Sequence, residues 1–466
     1  MKKISSFKND CIYIAILALQ FLVCGSVYIS QVYHLLNFYS EDMVLIIGMR
    51  WNYFAQAFGM LIFILLFLKV PKYVGNRISY ALLIAVGTII TAISLHTYNG
   101  TVALFFTIIY NIIIGLSSGY ALTALTSHVS KIKLGLAFGL AYAIGSVGTY
   151  LISVIDEGDF LKTKNVVIVY LIINIINIII LYFSQNIPCT TKAYSKSKTK
   201  YVKRNISENI HLYILILLII ILVNSINALG NNFQMAAIAN GKASLPFSRA
   251  FYAISLLSAG LISLRSRKYL ALTTFASLLF PVVTIILAGD PSLASGLLTI
   301  TYLFLGFVAV YRSLMFMDIA AGDNNLLAFA CVGLMLSRLV EAGSTWFSSI
   351  NITDKLLAAI IFAVLFALLL FVFFIYVQKM YQFSSYEATV EDKLMRFAQK
   401  YNLTSREKEV LPLLTKGTPN REIAKLMFIS ENTVKFHIKN LLQKTGCPDR
   451  TDLISLYNKP DSGILF

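Results

Sequence analysis

Apolar residues fill most of this chain in unbroken blocks, without the spaced pattern of a helix half-exposed to water. Twelve blocks, each roughly 20 residues, are long enough to cross hydrocarbon as helices. They fall at 11–36, 43–68, 78–97, 102–126, 134–155, 165–184, 210–229, 245–264, 270–288, 293–316, 327–347 and 355–378. A backbone in lipid has no water to bond, so blocks of this length predict helices. From about residue 379 the pattern changes. Val390, Leu394, Phe397 and Tyr401 recur at helical spacing among charged residues, which predicts an amphipathic connector over 379–402. A flexible solvated tether is the other reading of that stretch.

The last stretch, Leu403 to Tyr457, has ordinary charged composition and parses as four short helices. Thr404 and Glu407 form a capping box that starts the first, and Gly417 suits its end. Pro419 stands where the second begins, and Met427 to Ile429 form a turn. Ser430 caps the third helix, which Gly446 ends, and Asp449 caps the fourth. On the third helix Val434, Ile438 and Leu441 lie at i, i+4 and i+7, so they face a core. Lys435, Phe436 and Lys439 are left on the other side. Two helices joined by a tight turn, with basic residues outward on the second, suit the DNA major groove. The same periodicity also fits a small helical bundle with a solvated lysine face.

The residues themselves narrow this choice. Leu403, Thr404, Arg406, Glu407, Glu409, Val410 and Leu411, then Gly417, Glu422, Ile423 and Ala424, then Ser430, Thr433, Val434, Lys435 and His437, with Arg450 and Thr451, resemble a LuxR-type (GerE-like) DNA-binding domain. That resemblance implies that Lys435, Phe436 and Lys439 face base edges and that Thr433 and Lys444 lie near phosphates. It also implies that the fourth helix pairs with a second copy, through Leu453, Ile454 and Tyr457. Two residues depart from the pattern. Pro412 lies inside the first helix, where a kink or slip is expected, and Pro419 replaces the usual Ser or Thr cap.

Composition supports the reading of the apolar blocks. Hydrophobic residues are 58%, charged residues 13% and mean hydropathy is +0.74, which excludes an ordinary soluble chain. The net charge of +17 does not mark a nucleic-acid surface, because after Gln378 there are 14 Lys and Arg against 10 acids. Most of the excess lies in alternate loops. One set holds Lys2, Lys3 and Lys8; Lys69, Lys72 and Arg77; Lys131 and Lys133; the run from Lys192 to Arg204; and Arg265, Arg267 and Lys268. The other holds Lys162, Lys164, Lys242 and Lys355 beside five acids. The positive-inside rule then puts the first set and both termini in the cytoplasm. The first block carries no cleavage signal and reads as a retained span.

Residues 185–209 form the longest loop and divide the blocks into halves of six, 1–184 and 210–378, with 403–466 as the terminal domain. Two six-helix halves around a basic loop resemble the major facilitator superfamily. The loop Lys69 to Arg77 lacks the acid of that family's signature, so the resemblance implies the fold more firmly than transport. The expected fold is therefore all-α: a twelve-span bundle followed by a four-helix helix-turn-helix domain.

Candidate charged groups at depth in the blocks are Arg50, Arg249, Arg312, Arg338 and Glu341. Such groups are costly at depth and face a cavity or a partner. One reading makes them a structural pair, Arg338 with Glu341, and two snorkelling arginines. The other makes them a binding site for an anionic or carbonyl-bearing small ligand. The Asn residues at 111, 174, 177, 224 and 227 read as polar contacts between helices. Five scattered cysteines imply neither a disulfide framework nor a zinc site. No phosphate loop, paired-histidine metal site or nucleophile elbow occurs, so no enzyme and no cofactor are expected. The expected protein is a bacterial inner-membrane transcription regulator. Its expected partners are double-stranded DNA, the bilayer, a second copy and an unidentified small ligand. The alternative is a secondary transporter with a fused DNA-binding domain.

Overall fold

The computed structural model describes residues 2–155, 159–188, 211, 214–226, 245–280, 294–321, 326–348, 355–415 and 417–458. These form two compact units, Met1–Phe373 and Phe374–Phe466. The basic loop from residue 189 onward, and Asn227, lie outside the described residues.

In the first unit each expected block has a helix. They are α1 (Lys2–Leu35), α2 (Asn52–Lys69), α3 (Arg77–His96), α4 (Gly100–His128), α5 (Leu134–Ser153) and α6 (Val166–Tyr182), then α7 (Ile214–Ile226) and α8 (Leu245–Arg265). After them come α9 (Arg267–Ser277), α10 (Ala294–Ala320), α11 (Val332–Ser348) and α12 (Lys355–Lys400). Six helices among the described residues are long and apolar enough to cross a membrane, and four shorter apolar helices accompany them. The second block is not one helix. It opens as Glu41–Ile46 and passes through a π-helical turn, Ile47–Trp51, before α2. Only the first part of the ninth block is described, as α9.

Small residues let these helices approach closely, as expected where lipid supplies no hydrophobic drive between them. A Cβ on Gly115 of α4 would strike the Gln56 carbonyl of α2, and one on Gly59 would strike the Ile112 carbonyl. Between the halves, a Cβ on Gly139 of α5 would meet the Leu256 carbonyl of α8 at 2.5 Å. Polar side chains add specific contacts: Gln56 donates to Asn111 at 2.7 Å and Asn174 to Thr88 at 2.7 Å. Arg267 donates to both oxygens of Asp318, at 2.7 and 3.0 Å, and to the Lys131 carbonyl at 2.7 Å. It thereby ties together two loops that the charge pattern places on one side of the membrane.

The second unit takes the end of α12 and four short helices: α13 (Ser405–Thr415), α14 (Asn420–Met427), α15 (Glu431–Thr445) and α16 (Arg450–Asn458). Their core is Ala398, Leu403, Val410, Leu411, Leu414, Ile423, Ala424, Val434, Ile438, Leu441, Leu453 and Tyr457. Leu394 and Phe397, from the last turns of α12, and Tyr401 just after it pack against this core. Those turns are therefore helical and are part of the domain's packing. Burying each large apolar side chain contributes about 1.5–3 kcal/mol, so this cluster outweighs the weak intrinsic helicity of such short segments.

Candidate nucleic-acid interface

The capping chemistry read from the sequence forms the scaffold. Thr404 N–H donates to Glu407 Oε2 at 2.8 Å, and Glu407 N–H reaches back to Thr404 Oγ1 at 3.4 Å. Ser430 Oγ accepts from Thr433 N–H at 3.1 Å, and Asp449 Oδ1 accepts from the N–H groups of Thr451 and Asp452 at 2.7 and 2.9 Å. Gly417 (φ 79°) and Gly446 (φ 70°) stand in the left-handed region after α13 and α15. At those angles glycine avoids the clash a Cβ would bring. Pro412 does not break its helix: α13 runs through it, losing one backbone donor. Pro419 caps α14 through its carbonyl, which accepts from Glu422 and Ile423 N–H groups at 2.9 and 3.0 Å. Its φ of −61° and ψ of 149° suit that position without a side-chain cap.

The turn between α14 and α15 carries a feature the sequence did not announce. Phe428 adopts φ 56° and is 95% exposed. A bulky residue in the left-handed region stores roughly 1–2 kcal/mol. Arg450 was visible only as part of a motif. Its guanidinium donates to the Leu414 and Thr418 carbonyls at 3.3 and 2.7 Å and to Asn420 Oδ1 at 3.3 Å. It thus fixes the joint between α13 and α14 from the far end of the domain.

On α15 the two faces separate as the periodicity required. Val434, Ile438 and Leu441 are buried, while Lys435, Phe436 and Lys439 are exposed, Phe436 at 60%. Lys435 Nζ lies 3.3 Å from Glu431 on the same face. Thr433 Oγ1 pairs with Ser430 Oγ at 2.7 Å in the first turn. The outward face thus presents two ammonium groups and an aromatic ring from one rigid helix, which suits hydrogen bonding to base edges and contact with a thymine methyl.

Four other site residues make contacts within the domain itself. Lys444 Nζ donates to Glu407 Oε2 at 2.7 Å and to the Asn402 carbonyl at 2.9 Å, so the domain itself holds this ammonium. Burial would raise the Glu407 carboxyl, but the bonds from Lys444 and Thr404 outweigh it and hold the carboxyl below its ordinary value. Leu453 and Tyr457, expected at a dimer face, point into the domain's own core, and Ile454 packs against it. The Tyr457 ring meets Phe397 edge-on at 5.1 Å. Spacing of i and i+4 puts 453 and 457 on one face, and that face is used up by folding. The exposed side of α16 carries Thr451, Asp452 and Ser455.

The charges in the apolar blocks also group. Arg338 Nη1 donates to Glu341 Oε2 at 3.0 Å, the pair that their spacing suggested. Arg312 joins from α10, its Nη1 donating to Glu341 Oε1 at 3.2 Å and to Asn224 Oδ1 at 2.7 Å. Ser337 Oγ donates to the same carboxylate oxygen at 3.0 Å. The Arg338 guanidinium lies 4.7 Å from the Tyr53 ring centroid, across from the other half. Arg50 sits half-buried on the π-helical turn. Arg249 belongs to α8, but its side chain is outside the described residues.

Comparison with known proteins divides along the same line. Residues 401–457 match the family described as bacterial regulatory proteins, luxR family. Over 51 residues the chain is 55% identical to the uncharacterized transcriptional regulatory protein YhcZ of Bacillus subtilis (strain 168), covering 11% of this chain and 24% of that protein. Over 56 residues it is 52% identical to the CsgBAC operon transcriptional regulatory protein of Escherichia coli (strain K12), covering 12% and 26%. Over 62 residues it is 44% identical to the spore germination protein GerE of Bacillus subtilis (strain 168), covering 13% and 84%. The chain thus spans about a quarter of the length of the first two and most of the third. Over 79% of its own length it superposes on the E. coli fucose:proton symporter FucP, with a TM-score of 0.58, 14% identity and 99% of that chain covered. The nucleoside transporter NupG superposes with a TM-score of 0.52, 14% identity, and shares of 79% and 99%. FucP is a major facilitator superfamily transporter. This chain therefore has that fold and is an integral membrane protein with a helix-turn-helix domain at its end.

Proposed function

We propose, from the premise that the chain belongs through residues 401–457 to the luxR family of bacterial regulatory proteins, that it is a membrane-embedded transcription regulator. Its α15 reads double-stranded DNA, and its membrane unit senses a small ligand. The observation that carries this reading is the two-sided α15. Lys435, Phe436 and Lys439 stand outward on a helix pinned by Val434, Ile438 and Leu441. DNA must then lie on the side of the membrane that holds the terminal domain. The positive-inside pattern supports this by assigning both termini to the cytoplasm.

Ligand acts only through different affinity for two states of the membrane unit. The helix α12 contributes both to that unit and, through Leu394 and Phe397, to the terminal core. A shift of α12 between the two states changes how the terminal domain meets DNA or a second copy. Two domains held close bind a two-part site more tightly through effective concentration. The exposed side of α16 is the surface for that pairing.

The experiment is a comparison of reporter output and DNA binding by the intact protein and by residues 379–466 alone. The reading expects sequence-specific binding by both and ligand response by the intact chain only. Binding by neither would overturn it. The likeness of fold to transporters supports a second reading, transport with a fused regulator. Substrate accumulation against a gradient in sealed vesicles distinguishes it.

A further inference from the structure

In the cluster on α10 and α11, one carboxylate serves two guanidinium groups. Arg312 reaches Glu341 Oε1 and Arg338 reaches Glu341 Oε2. Among the described residues the cluster therefore carries one positive charge more than it balances. Arg312 is only 5% exposed, and the side chains of Arg338 and Glu341 are 14% exposed each. An uncompensated charge in such a place is costly. Each arginine spends Nη1 inside the cluster, and the Nε of each is buried without a hydrogen-bond partner among the described residues. A buried donor left without an acceptor calls for an occupant. The edge of a guanidinium that contains Nε is one of those that bind a carboxylate through two parallel bonds. Tyr53 from the other half stands against Arg338, so an occupant here touches both halves and can favour one arrangement of them.

We infer that this cluster is the binding site for a small organic monocarboxylate, which completes its charge and is the signal the membrane unit senses. The inference rests on the reading of that unit as a sensor, and it assigns the ligand class and the residues. Arg312 and Arg338 hold the carboxylate, while Glu341 holds both arginines in place and limits affinity by its own charge.

The test is thermal unfolding of the full-length protein in detergent. Acetate and benzoate are the probes, with chloride at equal ionic strength and neutral benzamide as controls. A melting temperature raised by either carboxylate, but not by chloride or benzamide, is the expected result. Arg312→Gln and Arg338→Gln should each abolish that rise. Glu341→Gln, which removes the competing charge, should strengthen carboxylate binding about tenfold. Should the arginine variants fail to fold, the Glu341→Gln protein still decides. Weaker or unchanged carboxylate binding in Glu341→Gln would overturn the inference. So would equal stabilisation by chloride, or no carboxylate effect on the wild-type protein. Specific DNA binding measured on the same preparation is independent of all these outcomes, so a failed sensor site is distinguishable from a failed regulator.

Discussion

Lys444 donates to Glu407 across 37 positions of sequence, closing the end of α15 onto the start of α13 at 2.7 Å. Glu407 is the same residue that closes the capping box on Thr404. One carboxylate thus fixes where α13 begins and how α15 sits against it. Lys444→Ala leaves that carboxylate with one bond fewer and should destabilise the terminal domain by about 1–3 kcal/mol. For a domain this small, that lowers its melting temperature by about 4–8 °C per kcal/mol. Thermal melts of residues 379–466, wild type against Lys444→Ala, measure this. Well below its melting temperature, Lys444→Ala should keep the salt slope of DNA binding. A slope smaller by about one would instead make Lys444 a phosphate contact.

The same carboxyl sets an acid limit. Its folded value lies below its ordinary value of 4.5. Its contribution is therefore complete above that ordinary value and is lost as pH falls through the lower folded one. Melts of residues 379–466 between about pH 3 and pH 6 should show stability dropping in the acid half. Glu407→Gln should flatten that part of the curve.

Lys439 is exposed on α15, on the face where bases are expected. Lys439→Ala should weaken binding to the preferred sequence by about 1–3 kcal/mol and relax preference at one position. Titration against a panel of single-base variants measures this. Equal weakening on every sequence would make Lys439 a phosphate contact.

On α16 the face at 453 and 457 belongs to the core and the face at 455 is free of it. Leu453→Ala should cost about 2–5 kcal/mol of domain stability, as for other large-to-small core changes. Ser455→Arg should leave the melting temperature within about 2 °C, because exposed sites are tolerant. It should nonetheless lower cooperative binding to two-part sites. Sedimentation and band-shift titration separate the two effects.

The terminal domain was legible almost helix by helix, because caps, glycines and the i, i+4, i+7 stripe are local signals. Ser430, Asp449 and Gly446 act where the sequence placed them. What sequence could not give was the destination of long side chains. The resemblance places Lys444 near phosphates, and its ammonium reaches back to Glu407. The resemblance assigns Leu453 and Tyr457 to pairing with a second copy, and the core of so small a domain takes them in. In the membrane unit, block length located the helices, but hydropathy is blind to a π-helical turn such as Ile47–Trp51. It is equally blind to a partner 29 residues away, so Arg312 could not be joined to Glu341 by spacing alone.

The central claim is that one chain lodged in the membrane also holds specific DNA. The most direct measurement is crosslinking in intact cells, followed by isolation of the membrane-bound protein and sequencing of the DNA attached to it. The account predicts discrete chromosomal sites that disappear in the Lys435→Ala, Lys439→Ala double variant. DNA recovered evenly along the chromosome, in equal amount from wild type and double variant, would contradict it.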